Sequence, residues 1–254
     1  MKETKIIFNA DDLGMSTHTD NEILSAANCG LIQSASISVV NGLDHDQFKK
    51  FLNLKYPLEL GLHINLTQGK PLSHSFKIAR LIDNNLVFKS AIELLSDEEN
   101  LKEEVLYVEM KAQLEKFVQL SGQKPNHIDS HQHYTYLSPI AFSAFLRLAN
   151  SENIKIRSPL PFINELRLKR FVDSVKERYG ISIPFSSEKQ AQKLQNIFTS
   201  LYIKLRTVDC LTEIPNKIDL ENNINFSADI EVICHPQNLY DKEKLKLLYQ
   251  SKVR

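Results

Sequence analysis

Residues 5–12 read Lys-Ile-Ile-Phe-Asn-Ala-Asp-Asp, an apolar run that ends in two adjacent carboxylates. A short apolar run of this kind is typical of a buried strand. Two neighbouring carboxylates at a strand end are costly unless something cationic lies between or beside them. The stretch therefore predicts a first strand whose carboxyl end carries a charged functional site.

Two further polar clusters follow strand-like runs. Pro57–Leu60 leads into Gly61-Leu62-His63-Ile64-Asn65, and Lys124-Pro125 precedes His127-Ile128-Asp129-Ser130-His131-Gln132-His133. One Asp and two His form a plausible triad for a divalent metal, with positions left open for water and substrate. The three clusters together predict a metal-dependent hydrolase.

Strand-like and helix-like segments alternate along most of the chain, which predicts a barrel-like or open parallel sheet. In such folds the working residues lie at the carboxyl ends of the strands, where these clusters fall. The pattern weakens between about residues 67 and 100, so an insertion that selects substrate is expected there. A long helix is predicted to begin with a capping box at Ser96 and Glu99.

Within the first cluster, one carboxylate can hold the metal while the other takes a proton from water. The alternative is that Asp11 or Asp12 caps the helix that begins near Ser16. His63 alone would most often be a structural histidine. His127, Asp129 and His131 fall on one face of a strand, with Asp129 suited to orient a ligand histidine.

Two residues near later strand ends complete the candidate site. His235 suits the transfer of a proton to a leaving group. Arg157 is expected to pair with a carboxylate or bind substrate, or else to form a plain surface salt bridge. Cys234 beside His235 suggests a thiol nucleophile, but it ends the apolar run Ile230–Ile233 and is expected to point into the core.

The composition excludes some classes of protein. The 254 residues are 42% hydrophobic and 24% charged, with 31 Lys and Arg against 31 Asp and Glu. This balance lacks the basic footprint of a nucleic-acid binder. The apolar stretches are too short to span a bilayer, and a signal peptide is not expected.

Cellular location and assembly are predicted more coarsely. Three widely spaced cysteines without a C-x-x-C pair fit a reducing cytoplasm. The apolar faces of helices predicted between Ile163 and Leu205 fit either a homodimer interface or packing on the barrel. The whole chain, 1–254, is expected to form one catalytic domain with a lid insertion at about 67–100.

Three ordered motifs resemble one family. They are N-A-D-D-L-G-M-S at Asn9–Ser16, G-L-H-I-N-L-T-Q-G-K-P-L at Gly61–Leu72 and H-I-D-S-H-Q-H at His127–His133. They are similar to those of the YdjC-like carbohydrate deacetylases, a group that includes chito-oligosaccharide deacetylase and the hopanoid-biosynthesis deacetylases. The resemblance implies a distorted (β/α) barrel of the glycoside hydrolase/deacetylase type. It also implies metal-dependent removal of an N-acetyl group from an amino sugar or glycan.

Carried over residue by residue, the resemblance assigns roles in the site. It implies that Asp12, His63 and His131 bind the metal, that Asp11 is the general base and that His235 is the general acid. Residues expected to surround the ligands or to contact substrate are Asn9, His127, Asp129, His133 and Arg157. The sequence departs from the family at His235-Pro236-Gln237, where H-P-G is common.

More than one hypothesis exists for the identity of the metal and for the reaction. The family implies magnesium, whereas two imidazole ligands suit zinc, cobalt or manganese better. Adjacent Asp residues with several His also fit a phosphoesterase or another metallohydrolase, often with two metals. A sugar-binding protein that has kept the fold without catalysis is a third hypothesis.

Overall fold

In the computed structural model of the chain, seven parallel strands form one sheet. The structure describes residues 6–43, 45–73, 76–201, 210–213 and 230–252. The strands are β1 (Ile6–Leu13), β2 (Ser34–Ile37), β3 (Glu59–Ile64), β4 (His127–Ser130), β5 (Lys155–Ile156), β6 (Cys210–Glu213) and β7 (Ile230–Cys234).

Helices connect most of the strands. They are α1 (Thr17–Asn28), α2 (His45–Leu52), α3 (Ala91–Ser96), α4 (Glu103–Ser121), α5 (Tyr134–Leu137), α6 (Pro139–Glu152), α7 (Leu160–Ile163), α8 (Glu165–Tyr179), α9 (Ser187–Ser200) and α10 (Leu239–Lys252). Short 3₁₀ turns lie at Phe76–Arg80, Glu98–Asn100 and His131–His133.

The strand order is that of a barrel. Across the sheet it reads β5-β4-β3-β2-β1-β7-β6. Strands β1 to β5 are neighbours in chain order, and β7 pairs with β1 on its other side. The strands therefore follow one another around a circle in the order of the sequence. Within the described residues the circle stays open between β5 and β6. The predicted distorted (β/α) barrel is therefore confirmed, with one open seam.

Strand alternation gives the barrel a polar interior. Successive strand residues point to opposite faces, and Asn9, Ser36 and Asp129 lie on the same side, where they are linked by hydrogen bonds. The intervening residues join the apolar core: Phe8, Ala10, Ala35, Ile37, Leu62, Ile64, Ile128 and Val232. A parallel sheet is covered on both faces. Here the polar side chains fill the inside of the curve.

Gly61 makes room for this interior on β3. A Cβ atom placed there would lie 2.3 Å from the His127 ring. The glycine in the Gly61–Asn65 cluster therefore allows the His127 ring to lie directly against the β3 backbone.

The insertion after β3 is tied to α4 by two buried polar side chains. Glu109 accepts hydrogen bonds from the backbone N–H groups of Leu72 (3.1 Å) and Ser73 (2.8 Å). Gln113, one turn along α4, accepts from the Asn65 backbone N–H at 3.0 Å and donates to its carbonyl at 2.7 Å. Both ends of segment 65–73 are thereby fixed to one side of the barrel.

The predicted start of α4 was wrong. The capping box lies at Ser90 and Glu93 and begins the short helix α3, while α4 starts at Glu103. Ser96 instead donates its hydroxyl to the Ile92 carbonyl within α3. Extended backbone at Leu101 (φ −78°, ψ 154°), a buried side chain, separates the two helices.

Other boundaries shifted by a few residues. The sequence pattern predicts a second strand over Ser34–Val40, and the observed strand ends at Ile37. It also predicts a short strand over Thr207–Cys210; the observed strand covers Cys210–Glu213, and 207–209 lie outside the described residues. Among the helices that the structure describes, none is long and apolar enough to span a membrane.

Candidate metal and acid–base site

The end of β1 presents both carboxylates to the barrel interior. The pairing register of β1 with β2 shifts between Ala10 and Leu13, and Asp12 has a positive φ of 72°. Asp tolerates this left-handed backbone better than most residues. Because of this irregularity, the side chains of Asp11 and Asp12 both point into the same site. Neither caps α1, because Ser16 fills that role by accepting from the Thr19 backbone N–H.

His63, on β3, is held between two carboxylates. Its Nδ1 lies 2.7 Å from Asp129 Oδ1, and its Nε2 lies 3.4 Å from Asp12 Oδ1. Burial alone would lower the pKa of His63. The charge of Asp129 and the hydrogen bond between His63 and Asp12 outweigh burial and raise this pKa to about 10. The Asp129 contact leaves Nε2 as the nitrogen that faces Asp12.

His131 lies just beyond β4, in the 3₁₀ turn. Its Nδ1 is 2.9 Å from Asp12 Oδ1, and its Nε2 is 3.2 Å from Gln68 Oε1. Gln132 and His133 both have positive φ angles, 51° and 54°. This unusual backbone turns the chain sharply directly after His131.

The three side chains have the chemistry and spacing of a metal site. Asp12, His63 and His131 form one of the groups of described residues whose ligand atoms lie within 4.8 Å of one another. Atoms that each lie about 2.1 Å from one ion are about 3.0–3.4 Å apart in octahedral or tetrahedral coordination. The distances of 2.9 and 3.4 Å to Asp12 Oδ1 match such edges. The donor set is therefore compatible with a divalent metal ion.

A buried ion cluster lies behind this group. The Arg157 guanidinium forms two bonds to Asp11, at 2.6 and 2.8 Å, and lies 2.7 Å from Asp129 Oδ2 and 3.0 Å from Glu231 Oε1. Arg157 is 0% exposed, so the expectation of a plain surface salt bridge is wrong. One guanidinium pairs with three carboxylates. The excess negative charge of the cluster favours binding of a further cation nearby.

The Arg157 guanidinium lowers the pKa values of the two aspartates in this cluster, Asp11 and Asp129. Burial would raise the pKa of Asp11, but Arg157 outweighs it and the pKa is lowered. The pKa of Asp129 is held well below its usual range, because Arg157 and His63 together overcome its burial. Both carboxyls are therefore charged at neutral pH. The pKa of Asp12 is likewise lowered, since hydrogen bonds to His131 and His63 oppose its burial.

Two smaller residues orient the cluster. Asn9 donates its amide to Asp11 Oδ1 at 2.7 Å and to Ser36 Oγ at 2.9 Å. Ser36 donates to Asp129 Oδ2 at 2.5 Å, and its Oγ lies 3.2 Å from His127 Nε2. Asn9, His127 and Asp129 thus lie next to the group formed by Asp12, His63 and His131.

His235 lies at the mouth, after β7. Its Nε2 is 3.9 Å from Asp12 Oδ2, and its Nδ1 is 3.7 Å from Asp241 Oδ2. The same Asp241 oxygen accepts a 2.9 Å hydrogen bond from the His235 backbone N–H. Burial opposes protonation, but Asp241 and the nearby Asp11 and Asp12 raise the pKa of His235.

Two further residues considered from the sequence, His133 and Cys234, have mostly non-polar neighbours. His133 packs against the rings of Phe162 and Phe171, with centroids 5.2 and 5.6 Å away. Burial, with Arg157 nearby, lowers the pKa of His133 to about 4, so the ring is neutral. Cys234 is buried with its thiol against the Asn9 carbonyl, and burial raises its pKa well above the usual value; both observations argue against a thiolate nucleophile.

Sequence reasoning missed four residues at the site: Ser36, Gln68, Glu231 and Asp241. A signal was available for two of them. Glu231 is a lone charge in an apolar strand, which requires a buried partner. Ser36 belongs to the alternating run Ser34-Ala35-Ser36-Ile37-Ser38, whose period of two places its hydroxyls on one face. Gln68 and Asp241 follow only from the folded loops.

The comparisons with known proteins agree with this architecture. A family model described as "YdjC-like protein" matches residues 5–248. The chain belongs to the YdjC-like family. This YdjC-like chain is 34% identical over 155 residues to Carbohydrate deacetylase 2 of Listeria innocua serovar 6a, an alignment that covers 61% of the chain and 60% of that relative.

A solved structure shares the fold across nearly the whole length. It is a protein of Enterococcus faecalis V583, named for a proposed role in cellobiose-phosphate cleavage. The TM-score is 0.69 at 18% identity, covering 97% of this chain and 95% of that one. At this identity the likeness establishes the distorted barrel alone.

Proposed function

We propose that this YdjC-like chain is a metal-dependent carbohydrate deacetylase, a hydrolase that removes the N-acetyl group from an amino sugar or glycan. The observation that carries the proposal is the Asp12, His63 and His131 group, set beside the Arg157-paired Asp11 and open to His235. Family membership and the curated relative support the same reaction class.

In this proposal Asp12, His63 and His131 hold one divalent ion. When bound, such an ion supplies a Lewis acid that polarises a carbonyl oxygen and lowers the pKa of water. The family favours magnesium, while two imidazoles favour zinc, cobalt or manganese. Asp129 fixes the His63 ring through Nδ1 and so leaves Nε2 for the ion.

Asp11 is proposed as the general base that accepts the proton of the attacking water. Its Oδ1 accepts from Arg157 and Asn9, while its Oδ2 accepts from Arg157. A carboxylate oxygen has two lone pairs, so Oδ2 has room for a water molecule. Arg157 keeps Asp11 ionised and fixed in direction.

His235 is proposed as the general acid for the leaving amine. Its raised pKa keeps a larger share of the ring protonated near neutral pH. Asp241 holds the backbone and faces Nδ1, so that Nε2 points toward Asp12 and the open side of the site. Proton acceptor and proton donor therefore approach the scissile bond from different strands.

Further parts of the proposal concern the surroundings of the site. We propose that the whole chain is one catalytic domain, that the insertion at 67–100 acts as a lid and that His133 and Arg157 belong to the site surroundings.

Free Cys29 and Cys234 fit a reducing cytoplasm. Exposed Leu166, Tyr179 and Ile181 suit a homodimer, which sedimentation analysis tests.

Acetate release tests the proposed reaction. The chain is incubated with N-acetylglucosamine oligomers and N-acetylated glycolipids, with a divalent ion or with a chelator. Metal-dependent acetate from any substrate supports the deacetylase and begins to name its substrate. No acetate from the whole panel, with one ion bound per chain, would overturn the proposed substrate class.

The phosphoesterase hypothesis fits the structure less well. Two-metal phosphoesterases need a second set of free carboxylates about 4 Å from the first ion. Here the carboxylates next to the ligand group, Asp11 and Asp129, are already paired with Arg157. Two ions bound per chain, with release of phosphate from an aryl phosphate, would favour this hypothesis instead.

Replacing His63 by Ala is expected to weaken divalent-metal affinity by more than about 100-fold, because a ligand is lost rather than one of its supports. The affinity is measured by competition with a chromophoric chelator. His18→Ala is the matched control, since His18 is exposed on α1, and it should bind metal like the unsubstituted chain. Equal affinity in both variants would remove His63 from the ligand set.

A further inference from the structure

The two proposed histidine ligands are held in opposite ways. His63 turns its Nδ1 to buried Asp129 and its Nε2 to Asp12. His131 turns its Nδ1 to Asp12, at 2.9 Å, and its Nε2 to Gln68 Oε1, at 3.2 Å. The ring nitrogen that is not used for a ligand bond is the one whose partner selects the tautomer.

Gln68 presents a carbonyl oxygen to His131. An oxygen acceptor at this position requires a hydrogen on Nε2, which leaves the lone pair of the neutral ring on Nδ1. With the proposed metal held by Asp12, this lone pair would be the one available to bind it, in place of the hydrogen bond between Nδ1 and Asp12 Oδ1. Gln68 therefore does for His131 what Asp129 does for His63, with a neutral amide in place of a carboxylate.

The position of Gln68 is fixed by the barrel. Its backbone N–H donates to Asn65 Oδ1 at 3.0 Å, and the Thr67 N–H donates to the same oxygen at 3.1 Å. The Asn65 backbone is in turn held by Gln113, whose amide also donates to Glu109 Oε1 at 3.0 Å. Asn65, Gln113 and Glu109 are fully buried.

This chain of contacts links the insertion to the metal ligand. Glu109 also binds the backbone of Leu72 and Ser73, where the insertion begins. Gln68 itself is exposed, so its side chain lies at the border between the barrel and solvent. Within the described part of the chain, the Gln68 side chain forms its hydrogen bond with His131.

We propose that Gln68 is a positioning residue for the metal: it holds His131 in the tautomer that ligates through Nδ1, on a loop that α4 fixes in place. The inference rests on the metal site of the proposed function. It makes His63 and His131 inequivalent ligands, one bound through Nε2 and the other through Nδ1.

A spectroscopic experiment tests the assignment directly. The chain is labelled with ¹⁵N-histidine, loaded with Zn²⁺ and examined by long-range ¹H–¹⁵N correlation, which reports the state of each ring nitrogen. We expect His63 to show a protonated Nδ1 and a ligated Nε2, and His131 to show the reverse. A spectrum in which both rings ligate through Nε2 would overturn the proposal.

Two variants of similar side-chain length separate the hydrogen bond from the bulk of the side chain. Gln68→Met removes the acceptor and is expected to weaken Zn²⁺ binding about tenfold, as for other residues that support a ligand, and to alter the His131 signals while leaving those of His63. Gln68→Glu keeps an acceptor and is expected to preserve the Nδ1-ligated pattern. Gln195→Ala, on the exposed side of α9, is the control and should change neither.

The outcomes distinguish this inference from the proposed function. An unsubstituted chain that binds none of Mg²⁺, Mn²⁺, Co²⁺ and Zn²⁺ overturns both. An unsubstituted chain that binds Zn²⁺ and releases acetate, beside a Gln68→Met variant with Zn²⁺ affinity within twofold and an unchanged spectrum, overturns the role of Gln68 alone.

Discussion

Replacing Asp11 by Asn is expected to lower kcat by about 10²–10⁴-fold while one metal ion remains bound per chain, which is the range attributed to a positioned general base. The amide cannot accept the proton of the attacking water. The proposed ligands Asp12, His63 and His131 are untouched by the change. The measurement pairs steady-state acetate release with metal content on the same preparation.

The same change also disturbs a buried ion pair, and the experiment has to separate the two effects. One partner of Arg157 becomes neutral, so the free energy of unfolding is expected to fall by about 3 kcal/mol. Activity is therefore compared well below the melting temperature of the variant. Asp46→Asn, whose side chain is 89% exposed, removes a surface charge as the matched control. A kcat for Asp11→Asn within about threefold of the control would exclude Asp11 as the base.

Much of the fold follows from patterns of alternation in the sequence. The β/α succession predicted a barrel-like or open parallel sheet, and the family resemblance implied a distorted barrel. The order of strands confirms the barrel. The polar clusters are strand segments in which every second residue faces the interior, so the sequence alone places His127 and Asp129 on one face, and both contact Ser36. Periodicity is a local signal, and it predicts local geometry well.

The wrong and missing predictions depend on contacts between distant segments. Ser96 and Glu99 have the spacing of a capping box, yet α3 ends at Ser96, and a 3₁₀ turn and extended backbone at the buried Leu101 follow it. Ser90 and Glu93 have the same spacing and do form the box. Spacing alone cannot choose between two such pairs, since the choice depends on which residues the rest of the fold buries.

The partners of Arg157 illustrate the same limit. The guanidinium contacts Asp11, Asp129 and Glu231, which lie 146, 28 and 74 positions away in the chain. The sequence allowed either a carboxylate partner or a surface salt bridge. Only the closing of β1, β4, β5 and β7 around one interior brings the four charges together.

Replacing Arg157 by Met is expected to lower the free energy of unfolding by about 3–5 kcal/mol, because three carboxylates stay buried after their guanidinium is lost. Met preserves much of the length and apolar volume. Arg157→Lys keeps one positive charge but cannot form the paired bonds to Asp11, and it should recover only part of the loss. Arg80→Met is the control, since Arg80 is 60% exposed beside Asp97 and should cost less than about 1 kcal/mol.

The pH dependence of the Arg157→Met deficit distinguishes charge from packing. In the folded, unsubstituted chain the pKa values of Asp11 and Asp129 are lowered. The two carboxylates therefore stabilise the fold at any pH above their unfolded pKa of about 4. This stabilisation is lost as the pH falls through their folded pKa values. Without the guanidinium, burial raises these pKa values above the unfolded one, and the penalty is full at neutral pH and relieved as the carboxyls protonate. Urea unfolding at pH 7.5 and pH 5 should therefore show a smaller deficit at the lower pH. Equal deficits at both values would mean that Arg157 stabilises the barrel by filling space and that its charge does not hold Asp11 ready for catalysis.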